Sequence, residues 1–221
     1  MVSDPMLGFL NIALAGLCAY FFGALPLADH VSRRNGVDIF SVGTGLAGAS
    51  NVRRCVGNVP ALLVCFGDFG KGALAIIISQ FFGFDGAWLL VAAVAVVLGH
   101  WKSVFTKFRG GDGQLALGGA IVAMFPTEGM VSGAVAVIIA LGGQKLPYSS
   151  LLSIVFGYGT LVTLVMINGG DTAQAFGVGI LSGVVLSRAL LGHRRRNSLS
   201  GSSEWENLES NEATGRPGTL P

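Results

Sequence analysis

Gly99-His100-Trp101-Lys102-Ser103-Val104-Phe105-Thr106-Lys107-Phe108-Arg109-Gly110-Gly111-Asp112-Gly113 is an aromatic, basic and glycine-rich segment set between two apolar runs, residues 87–99 and 114–125. Neither flank holds a charged side chain. A polar loop between two stretches that belong in hydrocarbon is the signature of a membrane protein with a functional connection at its surface.

The rest of the chain repeats that alternation. Apolar runs cover residues 6–28, 59–84, 129–141, 151–167 and 173–191 in addition to the two flanks. Of the 221 residues 52% are hydrophobic and 12% charged, against roughly 25% charged in a soluble domain. The fold expected is an all-α integral membrane protein with about seven transmembrane helices. Several runs reach the roughly 20 residues that a crossing helix needs, while 87–99 and 114–125 are short and must borrow from the loop between them. Residues 1–5 carry no Lys or Arg and the first run is longer than a leader core, so a retained first helix is expected instead of a cleaved signal.

Orientation follows from the basic residues. With seven spans, Arg33, Arg34, Arg53, Arg54, Lys102, Lys107, Arg109, Lys145, Arg188, Arg194, Arg195, Arg196 and Arg216 all fall on one side, and Lys71 is the exception. The opposite connections carry Asp85, Glu128 and Asp171 without a cation. The positive-inside bias then puts the N-terminus outside and the long loops and C-terminus in the cytoplasm. The basic residues sit beside spans, which argues for anionic lipid headgroups and against nucleic acid. Cys18, Cys55 and Cys65 are odd in number and lie in or near apolar runs, so they read as small packing residues without a disulfide framework or metal site. Residues 1–193 form the membrane domain, and residues 194–221, rich in Ser, Glu, Asn, Gly and Pro, read as a disordered cytoplasmic tail.

Two cytoplasmic loops are the candidates for chemistry. In the first, residues 35–57, Gly43, Gly45 and Gly48 precede Asn51, Arg53 and Arg54. Such glycines let backbone N–H groups turn toward an anion, and arginine completes a phosphate site, although a tight loop needs glycine in any case. No strand precedes them, so they form no dinucleotide fingerprint. The second loop repeats the recipe with Lys107, Arg109, Gly110, Gly111 and Gly113 after Trp101, Phe105 and Phe108, aromatics that also suit an interface anchor. His100 has the chemistry of a general base and equally that of a structural group at a helix end. Asp68 and Lys71, three apart on one helical face inside a span, either serve the site or neutralise each other in packing.

The ordered motifs GALP at 23–26, VGTGLAGASNVRR at 42–54, GDFGKG at 67–72, the loop at 99–113 and YSSLLSI at 148–154 resemble those of the PlsY-type acyl-phosphate:glycerol-3-phosphate acyltransferases. The resemblance covers residues 6–197. It implies a multi-pass enzyme of the bacterial inner (cytoplasmic) membrane that moves a fatty acyl group from acyl-phosphate to the first hydroxyl of glycerol 3-phosphate, making lysophosphatidic acid, with no metal and no cofactor. Its partners would be those two substrates and membrane lipid. Carried over position by position, it assigns catalysis to Lys71, His100, Ser150, His193 and Asn197. It assigns the substrate phosphate to Gly43, Gly45, Gly48, Asn51, Arg54, Lys107, Arg109, Gly110, Gly111 and Gly113.

Departures from the pattern are as specific as the matches. Ala24 stands where the family usually has Ser, Phe40 where it has Arg, Leu46 where it has Asn, and Asp112 where it has Lys. His193 and Asn197 are four apart instead of three. Three function classes follow: an acyltransferase with an altered acceptor preference; a degenerate member that binds lipid or a membrane partner without turnover; and a small-solute transporter, which the absence of an internal repeat disfavours.

Overall fold

The computed structural model describes residues 5–143 and 149–191. The expected tail, His193, Asn197, Lys145 and the side chain of Ser150 lie outside the described residues.

All regular structure among the described residues is helical. In chain order the helices are α1 (Pro5–Ala24), α2 (Leu27–Arg34), α3 (Ala49–Cys55), α4 (Asn58–Phe81), α5 (Leu89–Trp101), α6 (Gln114–Met124), α7 (Pro126–Gly142), α8 (Ser149–Ile167) and α9 (Thr172–Leu191). Short 3-10 turns at Gly86–Trp88 and Val104–Thr106 flank α5.

The seven apolar runs become seven apolar helices, α1 and α4 to α9. Four stretches are long and apolar enough to cross a membrane: Gly8–Arg34, Asn58–Phe81, Gly86–Thr106 and Thr172–Leu191. The others are shorter. α6 has 11 residues, about 16 Å at 1.5 Å per residue and half the hydrocarbon thickness. Both of its ends are set by sequence: Gly113 turns the chain at φ 87° while Asp112 Oδ1 accepts the Gln114 N–H, and Pro126 opens α7 directly after Phe125. Two helices were not expected. α2 lies mostly between the first apolar run and the first loop, and α3 lies within that loop, because eight and seven residues with mixed polarity leave no long periodic signal.

Polarity is distributed as a membrane requires. Phe9, Phe66, Ile138 and Ile180 are among the most exposed side chains, whereas Asp68, Lys71, His100 and Ser103 are buried. The apolar exterior faces lipid. α5 is the central helix: Leu89, Ala92, Ala93, Val96 and Val97 are buried in a core shared with α1, α4, α6, α8 and α9. A second core of Ala28, Ile39, Phe40, Ala47, Val52, Ala61 and Val64 folds the first loop with α2 and α3 onto the start of α4.

Reciprocal glycines set the closest helix approaches. A Cβ at Gly23 of α1 would fall on the Val96 carbonyl of α5, and one at Gly99 of α5 would fall on the Tyr20 carbonyl of α1. The same exchange joins α4 to α6, with Gly72 against the Ala116 carbonyl and Gly119 against the Phe69 carbonyl. One glycine on each of two facing helices lets the backbones touch, which supplies the packing that hydrophobicity cannot supply within lipid. These two contacts carry Ala24, Lys71 and His100 to one place.

Candidate active site

A cleft of about 250 Å³ opens where the two loops meet the ends of α1, α4 and α5. The turn after α1 supplies one wall through Ala24, Leu25 and Pro26, and α4 supplies Asp68 and Lys71. α5 and the second loop add His100, Ser103, Thr106, Arg109, Gly110 and Gly111, and the first loop adds Phe40 and Ala47.

Charge inside the cleft is organised around Asp68. Lys71 Nζ lies 2.8 Å from Asp68 Oδ1, and His100 Nδ1 lies 3.8 Å from the same oxygen. Lys71 also donates to the Leu25 carbonyl at 3.3 Å. An ammonium has three donors, and two are now spent, so one remains for a ligand in the cleft that Lys71 lines. Asp68 and Lys71 are 2% and 4% exposed, which makes this a buried ion pair in which each partner depends on the other. The two ions neutralise each other, and both line the cleft.

The second loop is folded by its own polar groups. Ser103 Oγ donates to the Ala24 carbonyl at 2.5 Å, and Tyr20 OH donates to the Lys102 carbonyl at 2.7 Å, fixing the loop to α1. Lys107 and Phe108 both take left-handed conformations, φ 54° and 60°, uncommon for residues with a Cβ. The reversal is held by the Phe108 N–H on the Ser103 carbonyl at 2.8 Å and by the Thr106 hydroxyl on the Arg109 carbonyl. It leaves Lys107 exposed at the corner, away from the cleft wall, and brings the Arg109 guanidinium 4.4 Å from the centre of the Phe40 ring. Phe40, at a position where the resemblance expected a cation, is therefore the platform for one.

The two loops are joined through their backbones. Ala47 N–H donates to the Gly110 carbonyl at 3.2 Å, and the Gly111 N–H donates to the His100 carbonyl at 3.1 Å. Gly48 faces the Asp112 carboxylate, at 3.7 Å from the position its Cβ would take. Of the residues expected to hold phosphate, Arg109, Gly110 and Gly111 line the cleft. Gly43, Gly45, Gly48, Asn51, Arg54, Lys107 and Gly113 do not.

Each of those seven has another placement with a physical reason. Asn51 is 2% exposed; its Nδ2 serves the Ile39, Val42 and Leu46 carbonyls at 3.1–3.2 Å and its Oδ1 accepts the Thr44 N–H. That amide is the centre of the first loop and has no donor left for a substrate. Gly43, at φ 57°, gives it room, since a Cβ there would strike Asn51 Oδ1. Gly45 turns at φ 66°, Gly48 caps α3, Gly113 caps α6, and Arg54 is exposed on the last turn of α3. Ser103 and Thr106 were given no role from sequence. Hydroxyls carry no spacing signature, and only their backbone partners reveal them.

A separate apolar groove of about 1050 Å³ runs between α6, α7, α8 and α9. Phe69 of α4 and Gln114 at the start of α6 lie on its wall, next in sequence to Asp68 and Gly113. Gln114 Nε2 is buried and has no hydrogen-bond partner among the described residues.

With this geometry in hand, comparison with known proteins is specific. A family model described as glycerol-3-phosphate acyltransferase matches residues 13–199. Glycerol-3-phosphate acyltransferase 1 of Deinococcus radiodurans is 41% identical over 123 residues, 56% of this chain and 62% of that protein. The Thermus thermophilus glycerol-3-phosphate acyltransferase is 44% identical over 110 residues, 50% of this chain and 55% of that protein. The matched segment thus spans less than two thirds of either relative. The Dechloromonas aromatica protein of the same name is 33% identical over 180 residues, 81% of this chain and 89% of that protein. Among solved structures, the integral membrane glycerol 3-phosphate acyltransferase PlsY (YgiH) in its glycerol 3-phosphate form superposes with a TM-score of 0.69 at 28% identity, covering 95% of this chain and 96% of that one. Its lysophosphatidic acid form gives 0.68 at 27% identity.

Proposed function

The chain belongs to the glycerol-3-phosphate acyltransferase family, and from that premise we propose that it transfers a fatty acyl group from acyl-phosphate to glycerol 3-phosphate at the cleft between its two loops. The observation that carries this reading is the cleft itself. Lys71, Arg109 and the Gly110–Gly111 backbone line one small space, fit for a phosphorylated acceptor, while a large apolar groove reaches Phe69, next in sequence to Asp68 of the cleft. The acceptor's first hydroxyl oxygen attacks the acyl carbonyl carbon, a new ester bond forms, and the bond to the phosphate oxygen breaks. Inorganic phosphate leaves, and the hydroxyl proton passes to a phosphate oxygen. Protein groups therefore need only to position and neutralise, which cations and backbone donors do.

Two of the substitutions that set this chain apart have structural work. Phe40 carries Arg109, and Asp112 accepts the Gln114 N–H at the start of α6, whereas the Ala24 side chain has no such contact to explain it. Phe40 thus keeps a cation at the cleft wall, which supports turnover over a degenerate, purely binding role. The N-terminus lies outside and the cleft faces the cytoplasm of an inner membrane, in keeping with the one-sided distribution of Lys and Arg. Turnover of acyl-phosphate with glycerol 3-phosphate by the purified protein tests the reading.

Two graded outcomes accompany it. Arg109→Ala removes the exposed cation of the cleft and should weaken glycerol 3-phosphate binding by about 1.5–3 kcal/mol, the range for charged hydrogen bonds. Arg54→Ala, away from the cleft wall, should change the KM for glycerol 3-phosphate far less. Equal effects of the two substitutions would move the phosphate toward α3. On the donor side, Gly118 lines the apolar groove with nothing within 4 Å of an added Cβ. Gly118→Leu should shift preference toward shorter acyl chains, at about 0.8 kcal/mol for each CH2 denied burial. An unchanged kcat/KM profile across short and long acyl-phosphates would place the chain elsewhere.

A further inference from the structure

Four consecutive carbonyls of the second loop are each held by a donor from a different place. The Thr106 hydroxyl takes Arg109 O, the Ala47 N–H takes Gly110 O at 3.2 Å, Arg188 Nε takes Gly111 O at 2.8 Å, and Trp101 Nε1 takes Asp112 O at 2.7 Å. Of these donors only Arg188 comes from α9, and only it is charged. Its Nη2 also reaches the Trp101 carbonyl at 3.4 Å, and its guanidinium lies 5.2 Å from the centre of the Trp101 ring. One side chain thus holds both ends of the loop, the residue at which α5 stops and the glycine at the cleft.

The consequence for the cleft follows from peptide geometry. A trans peptide is planar, so a carbonyl drawn one way fixes the N–H of the next residue to point the other way. Arg109 O, held by Thr106, sets the plane that carries the Gly110 N–H, while Gly111 O, held by Arg188, sets the plane that carries the Asp112 N–H. Arg188 therefore acts on the cleft wall by fixing Gly111, next to the Gly110 N–H. The Gly110 N–H has no acceptor among the described residues, and Gly110 is buried on the cleft wall. There is no slack at Gly111, because a Cβ there would already strike His100 Nε2 and the Ala47 carbonyl. If the guanidinium let go, a glycine pair with wide conformational freedom would be held only from the first loop and α5.

We propose that Arg188 is a positioning residue for the acceptor phosphate: from α9 it holds the Gly110–Gly111 backbone against the cleft, and its cation stands beside the loop in which Asp112 occupies the position of a cation. The assignment rests on the acyltransferase reading for its substrate, and on the hydrogen bonds alone for its geometry. A guanidinium can span two carbonyls and stack on an indole at once, whereas an ammonium is a point donor. Lysine at 188 should therefore keep the charge and lose the span.

The test uses the full chain, purified in detergent, as wild type, Arg188→Gln and Arg188→Lys. Steady-state kinetics give kcat and the KM for each substrate, and calorimetry gives direct affinity for glycerol 3-phosphate and for inorganic phosphate. Arg188→Gln should raise the KM for glycerol 3-phosphate and weaken phosphate binding together by about tenfold or more, with the KM for acyl-phosphate unchanged. Arg188→Lys should fall between it and wild type. A merely structural arginine would lower the active fraction, and so kcat, without moving either affinity; that result, or unchanged affinity in both variants, overturns the proposal. If Arg188→Gln yields no folded protein, Arg188→Lys decides by the same affinities. A wild type that binds both anions and shows no transfer would defeat the acyltransferase reading, while the binding comparison would still decide the role of Arg188.

Discussion

Replacing Lys71 by Met is expected to cost about 3–5 kcal/mol of stability, the cost of leaving one partner of a buried ion pair alone. Asp68 is 2% exposed, and its carboxylate has Lys71 at 2.8 Å as its close cation. His100, at 3.8 Å, is too far for a good hydrogen bond. With the ammonium gone, the buried carboxylate must stay charged without its partner or take up a proton, and both raise the energy of the folded state. Thermal unfolding in detergent measures the effect. Asp68→Asn combined with Lys71→Met should recover most of the loss, since two neutral groups need no mutual compensation. Transfer activity should remain low in both variants, because Lys71 lines the cleft as well as pairing in it. A single-variant loss below about 1 kcal/mol would show that the pair is open to solvent, in the range of surface ion pairs.

The second large effect is expected at Gly111. Alanine there adds one methyl group, and that methyl would meet His100 Nε2 and the Ala47 carbonyl at distances that atoms do not adopt. Ala47 also holds the Gly110 carbonyl, so the two loops must part for the methyl to enter. A displacement near 1 Å of a positioning element costs on the order of 10²-fold in rate, and kcat/KM for glycerol 3-phosphate should fall by about that factor. Gly70→Ala is the control: Gly70 lies on α4 away from the cleft wall with nothing within 4 Å of an added Cβ. It should leave kcat/KM unchanged and raise helix stability slightly. Equal activity of Gly111→Ala and Gly70→Ala would mean that the loops are not held as described.

Much of this architecture was legible in sequence because lipid imposes a coarse rule. A helix in hydrocarbon must be apolar for most of its length, and each of the seven apolar runs became an apolar helix. What escaped is what does not obey that rule. α2 and α3 are short and of mixed polarity, so neither periodicity nor length marked them. The brevity of α6 follows from Asp112, Gly113 and Pro126, local signals that a count of apolar residues passes over.

The site divides in the same way. Lys71, His100, Arg109, Gly110 and Gly111, which line the cleft, stand out in the sequence because an ion in a span, or a cation beside paired glycines, is rare. The glycines of the first loop looked equally suited to an anion, yet Gly43 and Gly45 turn the chain around the amide of Asn51. Composition cannot tell a glycine that opens toward a ligand from one that admits a neighbouring side chain. Arg188 was read as one of many cations marking the cytoplasmic side. Its hydrogen bonds to Gly111 and Trp101 join residues 77 and 87 positions away in the chain, a separation across which no local pattern carries information.

The central claim is that one cleft brings acyl-phosphate and glycerol 3-phosphate together for transfer. Its most direct test is to supply both to the wild-type protein in lipid and to quantify inorganic phosphate and lysophosphatidate in the same samples. The two products should appear one for one, and neither should form when glycerol 3-phosphate is left out. Phosphate released with free fatty acid and no lysophosphatidate, or no product at all from protein that unfolds cooperatively, would contradict it.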